Sequence, residues 1–94
     1  ELKSLEEVRN WNGLCLFTAD WCSPCKTFKP VLEGFAERFG ISLAMVDVGK
    51  RPDIAGAYAV RGVPTTFYLM DGQAFSRRQG AQTEAALAAL LPHG

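Results

Sequence analysis

Cys22 and Cys25 stand three positions apart in Trp21-Cys22-Ser23-Pro24-Cys25, directly after an apolar run and directly before a helical pattern. Two thiols at that spacing, at the mouth of a helix, can close a tight disulfide and open it again, which makes a reversible two-electron switch. The thiolate is the attacking species, and local electrostatics set its population. With Cys22 at the helix start, unpaired backbone N–H groups and the helix dipole stabilise its negative charge. Cys25 lies one turn deeper and is expected to be the less exposed of the two. Lys26 and Lys29 add positive charge nearby. The pair is therefore asymmetric: Cys22 attacks a disulfide, and Cys25 resolves the mixed disulfide that results. Pro24 suits the first turn, where its missing N–H costs little. No histidine stands between the cysteines, which argues against a strongly oxidising pair.

Two other readings compete with exchange chemistry. A C-x-x-C pair can be half of a zinc site. A second ligand pair is missing, however: the other candidates are Cys15, in an apolar strand, and His93, beside the C-terminus. Cys15 reads as a small buried hydrophobe, and His93 as a frayed tail residue. The second alternative is an idle pair in a structural or interaction module. Neither a metal nor a cofactor is expected.

The switch must be held by a small scaffold. The chain has 94 residues and is 48% hydrophobic, enough for one domain over residues 1–94 with one modest core. Ten basic residues balance ten acidic ones, so nothing calls for a nucleic acid partner. The pairs Lys50-Arg51 and Arg77-Arg78 read as solvated surface. No apolar run is long enough to span a bilayer, and no membrane insertion is expected. Three cysteines are too few for a disulfide scaffold. No methionine opens the chain, so a processed protein or a domain of a longer one is expected. A monomer is expected.

The elements follow from periodicity. Ser4-Leu5-Glu6-Glu7 reads as a capping box opening a short helix, with Leu5, Val8 and Trp11 on one face and Asn12-Gly13 closing it. Leu14 to Thr18 is an apolar run without alternation, as in a strand buried on both faces. Phe28, Val31, Leu32, Phe35 and Phe39 recur at helical spacing, with Pro30 expected to kink that helix and Gly40 to end it. Leu43 to Val48 is the next strand, and the order strand, helix, strand implies a parallel crossover. A short helix starts at Pro52 and runs to about Tyr58. Thr65 to Met70 and Gln73 to Gln79 form a hairpin around Asp71-Gly72. Gly80 breaks the second strand, and Thr83 caps a last helix carrying Ala86, Leu87, Leu90 and Leu91. The fold class is α/β, a mixed sheet with helices on both faces.

Several of these segments, in this order, resemble the thioredoxin family. Phe17 to Lys26 is similar to that family's active-site segment, and Pro30 to the kinking proline of its long helix. Val60-Arg61-Gly62-Val63-Pro64-Thr65 is similar to its cis-proline loop. Asp71-Gly72 and Gly80 fall at its hairpin turn and late glycine, so the resemblance covers almost the whole chain. The resemblance implies a thioredoxin fold, a cis Val63–Pro64 bond facing the disulfide, and a substrate groove made by Trp21, Ser23, Pro24, Gly62, Val63, Pro64, Gly80 and Ala81. The backbone at Val63 would pair with an extended substrate segment, and Trp21 is expected to be partly exposed.

Four departures from the family pattern stand out. The family's buried acid behind the active site, which would take the proton of the resolving cysteine, aligns with Leu16. Its lysine partner aligns with Met45, so both members of the pair have become apolar together. Asp20 is the nearest remaining acid in sequence and reads as a solvated loop residue. Ser23 stands where glycine is usual, and Thr18 where an aromatic residue is common. The family's first strand is largely missing, leaving an expected four-stranded sheet.

The implied activity is reduction of protein disulfides, or electron transfer by dithiol–disulfide exchange, with electrons from a disulfide reductase or a membrane electron donor. An exported oxidase or isomerase is the alternative direction. A cytoplasmic location is expected, or an extracytoplasmic one if a signal or anchor was removed.

Overall fold

The computed structural model describes residues 1–92; His93, read above as a tail residue, lies outside them. The elements run α1 (Leu5–Arg9), β1 (Gly13–Thr18), α2 (Ser23–Phe39), β2 (Leu43–Asp47), α3 (Pro52–Ala57), β3 (Thr65–Met70), β4 (Gln73–Gln79) and α4 (Glu84–Leu90). The four strands form one mixed sheet in the order β2-β1-β3-β4. β1 pairs parallel with β2 and antiparallel with β3, and β3 pairs antiparallel with β4.

The unalternating run in β1 has a direct cause: both faces of the strand are covered. Cys15 and Phe17 point into a layer with Val8, Val46, Ile54, Phe67 and Leu69. Leu14 and Leu16 point the other way, into a layer with Phe28, Leu32, Phe35, Leu87 and Leu90 from α2 and α4. The first layer is aromatic at its centre, where the Phe17 ring lies 5.1 Å from Phe67 and 6.0 Å from Tyr58. Such pairs each add about 0.5–1.5 kcal/mol beyond the area they bury.

Several local expectations need correction. α1 ends at Arg9 rather than at Asn12-Gly13, and Gly13 opens β1. Asn12 instead braces the hairpin turn: its Oδ1 accepts from the Asp71 N–H at 2.9 Å. Trp11 follows the helix, and its indole N–H donates to the Leu14 carbonyl at 2.9 Å. The capping box is half formed. Ser4 Oγ accepts from Glu7 N–H at 3.2 Å, but the Glu7 carboxylate reaches the Lys3 N–H at 2.8 Å rather than that of Ser4. Along α2, Phe28, Leu32 and Phe35 are buried, whereas Val31 and Phe39 are exposed at the rim.

The two loops that matter most for position are tied from outside. At the hairpin, Asp71 and Gly72 both adopt positive φ, at 49° and 74°, as a two-residue turn of this kind requires. A Cβ on Gly72 would run into the Arg9 backbone, so only glycine fits there. Ahead of the cis-proline loop, Ala59 sits at φ 54°, a left-handed conformation that costs a residue with a Cβ about 1 kcal/mol. The Arg77 guanidinium offsets it, donating to the Tyr58 and Ala59 carbonyls at 2.8 and 3.2 Å while stacking on Phe67. Residues Val60 to Pro64 thus leave a fixed anchor.

Candidate active site

The chemistry sits where β1 hands over to α2. Thr18 ends the strand, Ala19 to Trp21 make the turn, and Cys22 is the N-cap of α2 with extended backbone. Proline within the first turn preorganises the helix, as its fixed φ allows. Cys22 and Cys25 are joined by a disulfide with Cα atoms 5.3 Å apart. Cys22 Sγ is the atom that caps the helix, accepting from the Cys25 N–H at 3.2 Å. An amide aimed at the sulfur in this way favours negative charge there once the bond is open. Lys26, in the first turn, and Lys29, one turn on, are exposed.

Both cysteines are buried, Cys22 at 4% exposure and Cys25 at 1%. Cys25 is the deeper of the two, as its place on the helix implies, but Cys22 is not openly solvated. Its sulfur lies 3.8 Å from the Val63 carbonyl oxygen. Ala19, Val48 and Val63 close an apolar shell around the pair.

The facing loop carries the cis bond between Val63 and Pro64 that the resemblance implied. Thr65 Oγ1 donates to the Gly62 carbonyl at 2.5 Å, and Gly80 N–H donates to the Pro64 carbonyl at 2.7 Å. Gly80, at φ 91°, therefore links the end of β4 to the proline. Pro64 itself is buried, while Gly62 and Val63 are half-buried and reach the surface.

Trp21 is 73% exposed, more than the partial exposure expected of it. It flanks a cleft of about 140 Å³ whose other walls are Val48, Val60, Arg61, Gly62 and Val63. Of the residues expected to form a groove, Trp21, Gly62 and Val63 meet in this cleft. Ser23 and Pro24, exposed on the first turn of α2, lie outside its lining, as do buried Pro64, half-buried Gly80 and exposed Ala81. Val48, Val60 and Arg61 line the cleft without having been expected there. Val48 reads as the tail of a strand, and only the parallel pairing of β1 with β2 brings it beside Trp21. Asp20 is exposed, with its carboxylate 3.8 Å from the Lys50 ammonium.

A family model described as Thioredoxin matches residues 5–93. The chain belongs to the thioredoxin family. It is 35% identical over 77 residues to the thioredoxin of Bacillus subtilis (strain 168), covering 80% of this chain and 74% of that protein. It is 40% identical over 73 residues to a protein of Mycobacterium leprae (strain TN) named bifunctional thioredoxin reductase/thioredoxin, covering 76% of this chain and 16% of that longer protein. The solved structure of a mutant thioredoxin from Halobacterium salinarum NRC-1 superposes with a TM-score of 0.80 at 39% identity, covering 96% of this chain and 81% of that one. With its cysteine pair bonded at the helix start, this thioredoxin-family chain is a thiol–disulfide oxidoreductase.

The departures from the family pattern take physical form one layer below the site. Leu16 and Met45 face each other across the parallel β1–β2 register. Leu16 is fully buried beside Phe28, which stands one turn after Cys25 on α2. On the other side, Thr66 is the cross-strand partner of Leu16. The row Met45–Leu16–Thr66 thus contains no ionisable group. The Thr66 hydroxyl is fully buried without a hydrogen-bond partner among the described residues. The remaining cysteine, Cys15, is a free thiol on the opposite face of the sheet, where burial pushes its pKa from 9.0 up to about 12, far from the range of a nucleophile.

Proposed function

We propose that this thioredoxin-family chain reduces protein disulfides through Cys22 and Cys25. The observation that carries the reading is the position of Cys22 Sγ. It receives the Cys25 amide on one side and on the other lies 3.8 Å from the carbonyl of Val63, itself a wall of the cleft that exposed Trp21 flanks. In the reduced protein, the Cys22 thiolate attacks one sulfur of a substrate disulfide. That S–S bond breaks, a mixed disulfide forms, and the first substrate thiolate leaves. Cys25 then attacks Cys22 Sγ, the mixed disulfide breaks, and the second substrate thiolate leaves. Two electrons pass from the cysteine pair to the substrate, and the protons of the two thiols end on its two sulfurs.

An extended substrate segment would lie along Gly62, Val63 and Pro64, pairing with the Val63 backbone in the manner of an added strand. Trp21, Ser23, Pro24 and Gly80 border that path. A disulfide reductase returns the electrons, or a membrane electron donor does so. The fused relative from Mycobacterium leprae, whose name joins a thioredoxin reductase to a thioredoxin, supports the former. We read residues 1–94 as one such module acting in the cytoplasm; no described helix is long and apolar enough to cross a membrane.

The test is trapping. Cys25→Ser is expected to accumulate a mixed disulfide with an oxidised protein substrate, visible as a stable covalent adduct by mass. Cys22→Ser is expected to form none and to lose substrate reduction entirely. Adduct formation by the Cys22→Ser protein, or wild-type reduction by it, would reject the assigned roles.

A further inference from the structure

The place that a side chain at Gly62 would take is filled by another residue. A Cβ there would run into the carboxamide of Gln79. The Gly62 backbone is not in the left-handed region, so this glycine leaves space rather than supplying an unusual conformation. Gln79 reaches over from the last residue of β4, where it stands opposite Thr65, the residue after the cis proline. Arg77, two residues earlier and on the same face of the strand, lies over Tyr58 and Ala59 in a similar way. β4 thus lays two long side chains across the segment that leads into Pro64. The arginine uses its donors on that segment's carbonyls. The Gln79 carbonyl accepts from Gln82, but its carboxamide is exposed and makes no hydrogen bond among the described residues.

The backbone beside this amide is open to a partner. Thr65 Oγ1 takes the Gly62 carbonyl at 2.5 Å, and the Val63 carbonyl faces Cys22 Sγ at 3.8 Å. The N–H groups of Gly62 and Val63 have no acceptor among the described residues. The Val63 side chain packs inward, against the shell around the cysteines. Along extended backbone, successive side chains point to opposite sides. Position 62 therefore faces away from that shell, and there the Gln79 amide stands in for a side chain. A strand added along Gly62 and Val63 brings the Cβ of the residue opposite Gly62 to about 4.5–5.5 Å from that position. That residue meets a carboxamide rather than bare backbone.

We propose that Gln79 serves as the side chain of position 62 and selects substrate segments that carry a hydrogen-bonding side chain, of the Ser, Thr, Asn or Gln kind, opposite Gly62. A carboxamide holds two N–H donors and an acceptor oxygen with two lone pairs, so it can pair with a hydroxyl or a second amide in either sense. An aliphatic side chain in the same place covers those groups without replacing their hydrogen bonds to water, which is unfavourable. The inference deepens the reading of this chain as a reductase of protein disulfides and rests on it. Cys22 meets the substrate's sulfur and Val63 its backbone, whereas Gln79 meets one of its side chains.

Reduction kinetics on a set of disulfide peptides test it. Each peptide carries a single cysteine in a disulfide with mercaptoethanol. Thr or Val, which share a shape, stands at one of the two positions before or the two positions after that cysteine. The wild-type protein is expected to prefer Thr over Val at one of these positions by about threefold in kcat/KM, with the difference carried by KM. Gln79→Ala should abolish the preference, and Gln79→Leu should reverse it. Both peptides of a pair are compared on the same protein, so a general loss of stability or activity cancels. The absence of a preferred position in the wild-type protein would overturn the proposal. So would the same preference kept by Gln79→Leu. Failure of the wild-type protein to reduce any of the peptides would reject disulfide reduction itself, and this inference with it.

Discussion

The cysteine end of the molecule and the sheet layer just beneath it have been built to opposite rules. At the end, backbone polarity is concentrated on one sulfur: an N-cap position, an amide at 3.2 Å and a carbonyl at 3.8 Å. In the layer beneath, the row Met45–Leu16–Thr66 offers a side chain no charge at all. The contrast separates two tasks that thiol exchange needs. Attack by Cys22 depends on groups within one turn of helix, and these are intact. Proton removal from Cys25 depends on what lies behind it, and there the chain presents hydrocarbon. An unpaired charge at fully buried Leu16 would be strongly destabilising, so loss of the lysine at half-buried Met45 is coherent with loss of the acid at Leu16.

Restoring a charge breaks the contrast most severely. Leu16→Asp is expected to lower folding stability by about 3–5 kcal/mol, the order found for an uncompensated buried charge, measured by denaturant unfolding. Adding Met45→Lys should recover part of that loss. In the same variants the mixed disulfide should resolve at least about tenfold faster, because a positioned proton acceptor commonly contributes more than that. Rapid mixing that shows no acceleration would remove the link between this row and Cys25.

The opposite face of the sheet supplies a titration that the cysteine end should not share. Burial raises the Cys15 thiol from 9.0 to about 12. The folded state thus holds this proton more tightly than the unfolded chain does. The stability this contributes is complete below pH 9 and is lost as pH rises toward 12. Cys15→Ala is expected to lose about 1–2 kcal/mol of packing near neutral pH and to show a flatter decline through that alkaline window. Tyr58, whose phenol burial also pushes up, keeps a residual slope. Chemical unfolding at a series of pH values reads both slopes.

Thr66→Val sharpens the comparison from the polar side of the row. The variant keeps the shape and removes the one buried hydroxyl that has no partner, so stability should rise by about 1 kcal/mol. A loss instead would mean that the hydroxyl is satisfied in solution. The smallest structural effect belongs to Trp21→Ala. At 73% exposure its removal should change stability by no more than about 0.5 kcal/mol, while raising KM for a protein disulfide several-fold through loss of the cleft wall.

Most of this architecture is written locally in the chain. The unalternating Leu14–Thr18 run, the Asp71-Gly72 turn and the helical spacing from Phe28 each report their own environment, and each element is found where its pattern stands. What local patterns could not report are features made by distant partners. Asn12 and Gly13 look like a helix stop, but Asn12 answers to Asp71 across the hairpin and Gly13 to the strand. Glu7 has the spacing of a capping box, yet a nearer N–H at Lys3 takes its carboxylate. Val31 and Phe39 share the apolar spacing of α2 but fall beyond the edge of what the sheet can cover. The cysteine motif marks the nucleophile in sequence, whereas Val48 and Val60 become walls of its cleft only after two loops are folded together.

The most direct test of the account is the reduction potential of the Cys22–Cys25 pair, obtained by equilibrating the protein in defined thiol buffers and counting alkylated thiols by mass. A disulfide reductase requires a low potential, with the bond opening in dithiothreitol buffers and resisting mild glutathione; each 30 mV or so corresponds to about 1.4 kcal/mol. That is the result the account predicts. A bond that opens in mild glutathione would reverse the direction of electron flow, and the absence of any two-thiol transition would contradict exchange chemistry altogether.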